Sequence, residues 1–228
     1  MQQPIIVAID GPAGAGKSTV ARSLARKLGF LHIDTGAMYR CVTLKALRRG
    51  TDMADEKALE ELARDSKIVL EPGDPENFVY LDGQDVTKAI RDPQVSLATK
   101  AVADAPGVRR ILVARQQRMG RQDSLPYGGA VLEGRDIGTD VFPDAKYRFY
   151  LDASPEVRAK RRWGDLQRAG KSATYEEVLA DVMKRDANDM SRPVGALRKT
   201  PESIVMDHSS LTVEESVEEL HRYIRSHP

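Results

Sequence analysis

The chain has 228 residues and a mass of 25.2 kDa, which suits one domain with an insertion or two small domains. Its 35 lysines and arginines nearly balance 34 aspartates and glutamates, so the formal net charge is +1. That balance argues against nucleic-acid and membrane partners, and neither a membrane-spanning run nor a signal-peptide pattern is visible. With Cys41 as the only cysteine, we expect a cytoplasmic monomer without disulfides.

The first part of the chain alternates between strand and helix patterns. Apolar, β-branched runs predict strands at Ile5–Ile9 and Phe30–Ile33. Helical spacing of apolar residues predicts helices over Lys17–Leu28, Met38–Leu47 and Asp55–Arg64. Because strands that alternate with helices form parallel sheets covered on both faces, this part predicts an α/β fold.

The pattern changes at about Ser66. Short strands are predicted at Lys67–Leu70, Phe78–Leu81 and Val86–Ile90, and Asp82-Gly83 is typical of a hairpin turn. Local hairpins interrupt the alternation, so residues 66–90 are predicted to form an inserted antiparallel patch.

The rest of the chain returns to alternation. The predicted elements are helices Val95–Ala103 and Val108–Met119, strands Ala130–Leu132 and Tyr147–Leu151, a helix beginning at Ser154-Pro155-Glu156, helix Tyr175–Ala187, strand Ser203–Met206 and helix Val213–Ile224.

Residues 11–18 match the phosphate-loop pattern G-x-x-x-x-G-K-S/T and lie between a predicted strand and a predicted helix. In such a loop, backbone N–H groups and the helix N-terminus surround the phosphates of a nucleoside triphosphate. The lysine reaches the β and γ oxygens, and the serine hydroxyl can bind Mg²⁺. The predicted ATP-binding residues are Gly11, Pro12, Ala13, Gly14, Ala15, Gly16, Lys17, Ser18 and Thr19.

Three further segments follow predicted strands or helices: residues 34–40 (DTGAMYR), 133–145 (EGRDIGTDVFPDA) and 184–192 (KRDANDMSR). In this order, and with the phosphate loop, the chain resembles bacterial cytidylate kinases over essentially its whole length. The resemblance implies a three-layer P-loop kinase with a parallel five-stranded sheet, an inserted antiparallel patch and a short helical lid. It divides the chain into a core (1–34 and 101–228, with the lid at about 154–170) and a monophosphate-binding region (35–100).

The resemblance also implies the reaction, which is transfer of the γ-phosphoryl group of ATP to CMP, and to dCMP, giving CDP or dCDP and ADP. It implies catalytic roles for Lys17, Arg135, Arg162 and Arg192, and a contact of Arg158 with ATP. Mg²⁺ would be held by Ser18, together with Asp34 or Glu133 through water. The implied substrate-binding residues are Thr35, Arg40, Lys100, Arg109, Arg135, Asp136, Arg185, Asp189 and Arg192.

Base selection depends on the Asp136 carboxylate. Cytosine presents an amino donor where uracil presents a carbonyl acceptor, so a carboxylate favours cytosine. Arg109 would donate to the acceptor side of the ring. The family pattern has a hydroxyl residue near the base, where this chain has Lys100 beside Thr99. Lysine donates but does not accept hydrogen bonds, which leaves UMP tolerance open.

Two alternatives fit the phosphate loop alone. One is another nucleoside monophosphate kinase, such as a UMP/CMP kinase, and the other is a nucleotide-dependent switch without phosphotransfer. The distribution of charge favours a small anionic ligand: residues 51–87 carry −8, whereas residues 88–122 and 154–198 carry +6 and +3.

Overall fold

The computed structural model describes residues 3–73, 76–168 and 170–228. Its strands are β1 (Ile5–Asp10), β2 (Leu31–Asp34), β3 (Ile68–Glu71), β4 (Phe78–Leu81), β5 (Gln84–Asp85), β6 (Gly129–Glu133), β7 (Tyr147–Asp152) and β8 (Ile204–Asp207). Its α-helices are α1 (Lys17–Leu28), α2 (Thr35–Arg49), α3 (Glu56–Asp65), α4 (Pro93–Asp104), α5 (Pro106–Arg118), α6 (Pro155–Arg168), α7 (Tyr175–Met190) and α8 (Val213–Ser226). Among these helices, none combines the length and the apolar composition needed to cross a membrane.

The central sheet has five parallel strands in the order β2-β6-β1-β7-β8. Its strands are apolar on both faces because helices cover both sides. Val7, Ile9 and Val131 pack on one side with α1 and α8, while Ala8 and Leu132 pack on the other with α2 and α5. The predicted three-layer fold with a parallel five-stranded sheet is confirmed.

A separate antiparallel sheet, in the order β3-β4-β5, forms within the segment predicted to be an insertion. Asp82 and Gly83 make its hairpin turn with φ of 52° and 83°. The predicted strand over Val86–Ile90 is wrong, because β5 ends at Asp85 and a short 3₁₀ turn follows. The Ile90 amide donates to Val86 O at 3.0 Å, which closes a helical turn instead of continuing the sheet. Val86 and Ile90, four residues apart, are both buried in the core by this turn.

Helix α2 begins at Thr35, three residues earlier than the apolar spacing predicted. The Asp34 carboxylate caps it by accepting a 2.8 Å hydrogen bond from the Ala37 amide. Asp34 is also the last residue of β2, so the strand passes directly into the helix. This abrupt junction places Thr35 and Arg40 at the carboxyl edge of the sheet.

Helices α6 and α7 pack against each other around a small cluster that contains Ala159, Val178 and Val182. Trp163 and Tyr175 meet edge to face at 6.4 Å, and the Trp163 indole donates to Ala173 O at 2.9 Å. Of the two helices, α6 lies within the segment predicted as the lid, about 154–170, and α7 follows it in the chain.

Candidate active site

One cavity of about 600 Å³ opens at the carboxyl edge of the parallel sheet. This is the edge at which α/β proteins bind ligands, because the loops and helix N-termini converge there. The phosphate loop, α2, α4, α5, the segment after β6 and α7 all contribute to its walls. The predicted site residues that line it are Ala13, Gly14, Gly16, Lys17, Ser18, Thr19, Asp34, Thr35, Arg40, Arg109, Glu133, Arg135, Asp136, Arg185, Asp189 and Arg192.

The phosphate loop has the backbone that its glycines allow. Gly11 has φ of 151°, and a Cβ there would lie 2.1 Å from Leu151 O. Lys17 is buried, and its Nζ donates to Pro12 O at 2.7 Å. Burial and the nearby Arg135 cation hold the pKa of Lys17 well below its usual range. Phosphate oxygens placed beside this amine would favour its charged form.

Ser18 and Glu133 meet where the loop faces β6. The Ser18 hydroxyl donates to Glu133 Oε2 at 2.8 Å, while the Thr35 hydroxyl donates to Glu133 O at 2.7 Å. Glu133 Oε1 is buried and has no hydrogen-bond partner among the described residues. Hydroxyl and carboxylate oxygens are the donors that Mg²⁺ prefers, so this set fits the metal that the phosphate loop implies.

Asp10 is a site residue that the sequence analysis missed. It ends β1, is buried, and accepts hydrogen bonds from the Ile137 and Gly138 amides, both at 2.8 Å. Burial raises the pKa of Asp10 to about 7. The carboxylate ties the segment that follows β6 to β1, and so positions Asp136. The available signal was an acidic residue between an apolar strand and the phosphate loop.

Arg109 and Asp136 lie side by side in the cavity wall. Arg109 and Asp136 form a buried salt bridge. Burial raises the pKa of Asp136, against the opposing effect of Arg109. Gly195 packs on the guanidinium so closely that a Cβ there would lie 1.9 Å from Arg109 Nη2. The backbone beyond α7 therefore clamps the pair in place.

Asp189 joins two of the arginines that line the cavity. Its Oδ2 accepts from Arg135 Nε at 2.7 Å, and its Oδ1 accepts from Arg192 Nη2 at 2.8 Å. Despite the burial of Asp189, the two cations lower the pKa of its carboxyl group. Arg192 Nε also lies 3.1 Å from Asp104 Oδ1, which links this wall to α4.

Arg40 and Arg185 complete the cationic lining. Arg40 Nη2 lies 3.1 Å from Asp34 Oδ2, so the residue that caps α2 also orients this arginine. Arg185 is exposed on α7. Loss of hydration at its guanidinium and the nearby Arg135 cation lower the pKa of Arg185 to about 10. A group held among like charges is stabilised by an anionic ligand.

Arg158 and Arg162 do not line this cavity. Arg158 is buried and uses its guanidinium on Ala153 O, Ala13 O and both oxygens of Asp186, at 2.5–3.1 Å. These bonds brace the phosphate loop against α6 and α7. Arg162 is exposed and lines a neighbouring cavity of about 170 Å³ together with Arg185.

Lys100 also lies outside the cavity. Its Nζ lies 2.6 Å from Asp104 Oδ2, one helical turn along α4, and its side chain is 54% exposed. The neighbouring Thr99 lines the cavity instead. The difference follows from the helix, in which consecutive residues point in directions about 100° apart.

The fold and the cavity are those of a P-loop kinase. The phosphate loop and a cluster of arginines paired with carboxylates line the same cavity. The family model described as cytidylate kinase matches residues 7–226. The chain belongs to the cytidylate kinase family.

Similar proteins agree with this placement. A cytidylate kinase of Caldanaerobacter subterraneus subsp. tengcongensis is 47% identical over 96% of this chain and 94% of its own length. One from Pelotomaculum thermopropionicum is 48% identical over 92% of each chain. The solved structure of an uncharacterized protein from Eubacterium ventriosum is 14% identical, with a TM-score of 0.52 over 98% of this chain and 99% of that chain. It is similar in fold alone.

Proposed function

We propose that the 600 Å³ cavity is where the chain carries out the reaction of its family, transfer of the γ-phosphoryl group of ATP to CMP. The products are ADP and CDP, and we include dCMP as a second acceptor. The observation that carries the proposal is the convergence of Lys17, Arg40, Arg135, Arg185 and Arg192 on this one space. Phosphoryl transfer needs positioning and charge stabilisation more than covalent chemistry by the protein, and clustered cations supply both.

The phosphate loop would hold the donor. Its backbone amides would face the triphosphate, and Lys17 would exchange its bond to Pro12 O for the β and γ oxygens. Arg158 would act on ATP through the loop, because its guanidinium already bonds Ala13 O. Arg162 would reach the donor phosphates from the lid.

Mg²⁺ would be held by Ser18 and the nucleotide phosphates, with Glu133 or Asp34 acting through water. When bound, it would neutralise charge on the β and γ phosphates. The chain contributes orientation, because Glu133 already fixes the direction of the Ser18 hydroxyl. No general base is required, since the acceptor phosphate is anionic.

The acceptor phosphate would be held by Arg40, Arg135 and Arg192, with Thr35 and Arg185 beside it. Each of the first three is already oriented by a carboxylate, Asp34 or Asp189. Such pairing fixes the guanidinium groups before the ligand arrives. Asp189, which is bonded to Arg135 and Arg192, would also accept a hydrogen bond from a ribose hydroxyl.

Cytosine would bind against the Arg109–Asp136 pair. The carboxylate accepts from the cytosine amino group, and uracil would place a carbonyl oxygen against it. Buried polar groups that lose their partners discriminate strongly between related ligands. Thr99 would supply the hydroxyl that the family pattern has near the base.

An acceptor panel tests the proposal. ADP formation from ATP is measured with CMP, dCMP, UMP, AMP, shikimate or no acceptor. We expect CMP and dCMP to be the best acceptors and the rate without acceptor to be small. Equal turnover without acceptor would identify a nucleotide-dependent switch, and UMP equal to CMP would identify a UMP/CMP kinase.

We further propose that the chain divides into a core (1–34 and 101–228) and a monophosphate-binding region (35–100), and that it is a monomer that resides in the cytoplasm.

We also propose that the insertion and the α6 lid approach each other when both substrates bind, which would exclude water from the reaction. Small-angle scattering with both nucleotides should show compaction, and unchanged dimensions would contradict closure.

A further inference from the structure

A buried polar chain links the small antiparallel sheet to the phosphate loop. It comprises Asn77 before β4, His32 on β2, Glu133 at the end of β6, and Ser18 at the start of α1. Asn77, His32 and Glu133 are each at most 9% exposed. Substrate contact does not account for Asn77 or His32, since neither lines the main cavity. A second cavity, of about 300 Å³, lies beside them.

The orientation of the Asn77 amide is determined by the His32 backbone. Asn77 Nδ2 lies 3.2 Å from His32 O and 3.1 Å from His32 Nδ1. A carbonyl oxygen accepts hydrogen bonds only, so the amide must present its nitrogen there. The same nitrogen then donates its other hydrogen to Nδ1 of His32.

That contact determines the tautomer of the imidazole. Because Nδ1 accepts a hydrogen bond, the proton of neutral His32 lies on Nε2. Nε2 faces Glu133 Oε1 at 3.6 Å, slightly beyond hydrogen-bond distance. Both atoms are buried and have no hydrogen-bond partner among the described residues. Native proteins pair such atoms, so this donor and this acceptor are matched to each other.

We propose that His32 is a positioning residue for Glu133. Its Nε2–H closes onto Glu133 Oε1 and keeps the other carboxylate oxygen on the Ser18 hydroxyl. Asn77, which belongs to the inserted small sheet, selects the tautomer that can do this. Through His32 and Glu133, the position of the insertion therefore influences the orientation of the Ser18 hydroxyl in the phosphate loop. The kinetic part of this inference rests on the proposed function, but the tautomer does not.

The first test is nitrogen-15 NMR of the imidazole rings in the unliganded full chain at neutral pH. The chain has four histidines, and the signals missing from His32→Gln assign His32. We expect an unprotonated Nδ1 and a protonated Nε2. A protonated Nδ1 would overturn the proposal whether or not the chain phosphorylates CMP.

Asn77→Ala should allow His32 to populate both tautomers. The matched control is Thr87→Val, which removes a hydroxyl that bonds the Val79 amide within the same small sheet. Thr87→Val should leave the His32 signals unchanged. If both variants alter the tautomer equally, the effect belongs to the stability of the small sheet, and the role of Asn77 is contradicted.

The second test separates positioning from packing by kinetics. His32→Gln keeps an N–H donor that can reach Glu133, whereas His32→Asn is too short to do so. Loss of such an outer contact typically costs 10- to 100-fold in activity. We expect His32→Asn to lower kcat about 10-fold with KM for CMP nearly unchanged, and His32→Gln to recover most of it. Equal losses in the two variants would contradict a positioning role.

Discussion

The two halves of the active site are built in different ways. On the donor side, consecutive residues of one loop supply backbone amides, and Lys17 donates to a carbonyl of its own loop. On the acceptor side, side chains from α2, α5, α7 and the segment after β6 must meet. There, Arg109 and Arg135 are held by Asp136 and Asp189, carboxylates from distant parts of the chain. The donor side is therefore built mainly within one loop, which Arg158 braces from outside, and the acceptor side depends on the whole fold.

This difference predicts different costs for damage. Removing a donor-side group should change chemistry and leave folding intact, because few tertiary contacts are lost. Removing one member of a buried acceptor-side pair leaves a charge uncompensated and costs about 3–5 kcal/mol of stability. The predictions below test that contrast, beginning with the largest effect on activity.

Lys17→Ala should lower kcat by at least about 10³-fold, since it removes a cation from the transferring phosphates. It should leave the free energy of unfolding within about 1 kcal/mol of the parent, because burial already disfavours the charged amine and its hydrogen bond to Pro12 O lies within its own loop. Steady-state kinetics and urea unfolding monitored by circular dichroism measure the two quantities. A large loss of stability would show that the donor side is not local.

Asp136→Asn should lower kcat/KM for CMP far more than for UMP, so that their ratio falls by about 10-fold or more. It should also destabilise the fold, because Arg109 stays buried without its counter-charge. The ratio remains informative even if part of the protein unfolds, since both acceptors report on the same folded fraction.

The matched control for Asp136 is Asp140→Asn, which removes the same charge from the same segment. Asp140 is not part of the cavity lining and lies 3.6 Å from the exposed Arg198. This control should keep the CMP-to-UMP ratio within about twofold, as expected for a surface charge pair. Equal losses on CMP and UMP in Asp136→Asn would remove Asp136 from base recognition.

Asp10 lies between the two halves, and its effect should depend on pH. A carboxyl group whose pKa is raised on folding stabilises the protein at low pH, and that contribution is lost as pH rises through about 7. Between pH 5 and pH 8 the parent should therefore lose about 3 kcal/mol that Asp10→Asn does not lose. Urea unfolding of both proteins at the two pH values measures this difference. Parallel pH profiles would show that Asp10 titrates normally.

The same contrast explains what the sequence could predict. The phosphate loop, the strands of the parallel sheet and the hairpin at Asp82-Gly83 follow from local patterns, and the structure contains them. Acceptor-side residues were found through a family resemblance, since nothing local indicates that Arg109 meets Asp136. Local patterns failed where tertiary contacts decide, as in the 3₁₀ turn near Ile90 and the tie between Asp10 and the segment after β6.

The smallest effect is expected at Lys100, where the sequence departs from the family pattern. Its exposed ammonium pairs with Asp104 one turn along α4, a contact worth about 0.3–0.5 kcal/mol. Lys100→Ala should therefore leave kcat/KM for CMP within about twofold. Thr99→Ala should lower it by about 3- to 10-fold, the range of one net hydrogen bond, and Thr99→Ser should retain activity.

These three variants decide which neighbour on α4 serves the base. At present the Thr99 hydroxyl donates to Val95 O at 2.6 Å, so it can still accept a hydrogen bond from the cytosine amino group. Lysine has no acceptor to offer, and a protonated amine near the base would favour uracil, whose carbonyl oxygen accepts. If Lys100→Ala raised the CMP-to-UMP ratio, Lys100 would reach the base after closure and account for tolerance of UMP. If Lys100→Ala leaves the CMP-to-UMP ratio unchanged and only Thr99→Ala loses activity, then Thr99 provides the hydroxyl that the family pattern has one position later on α4.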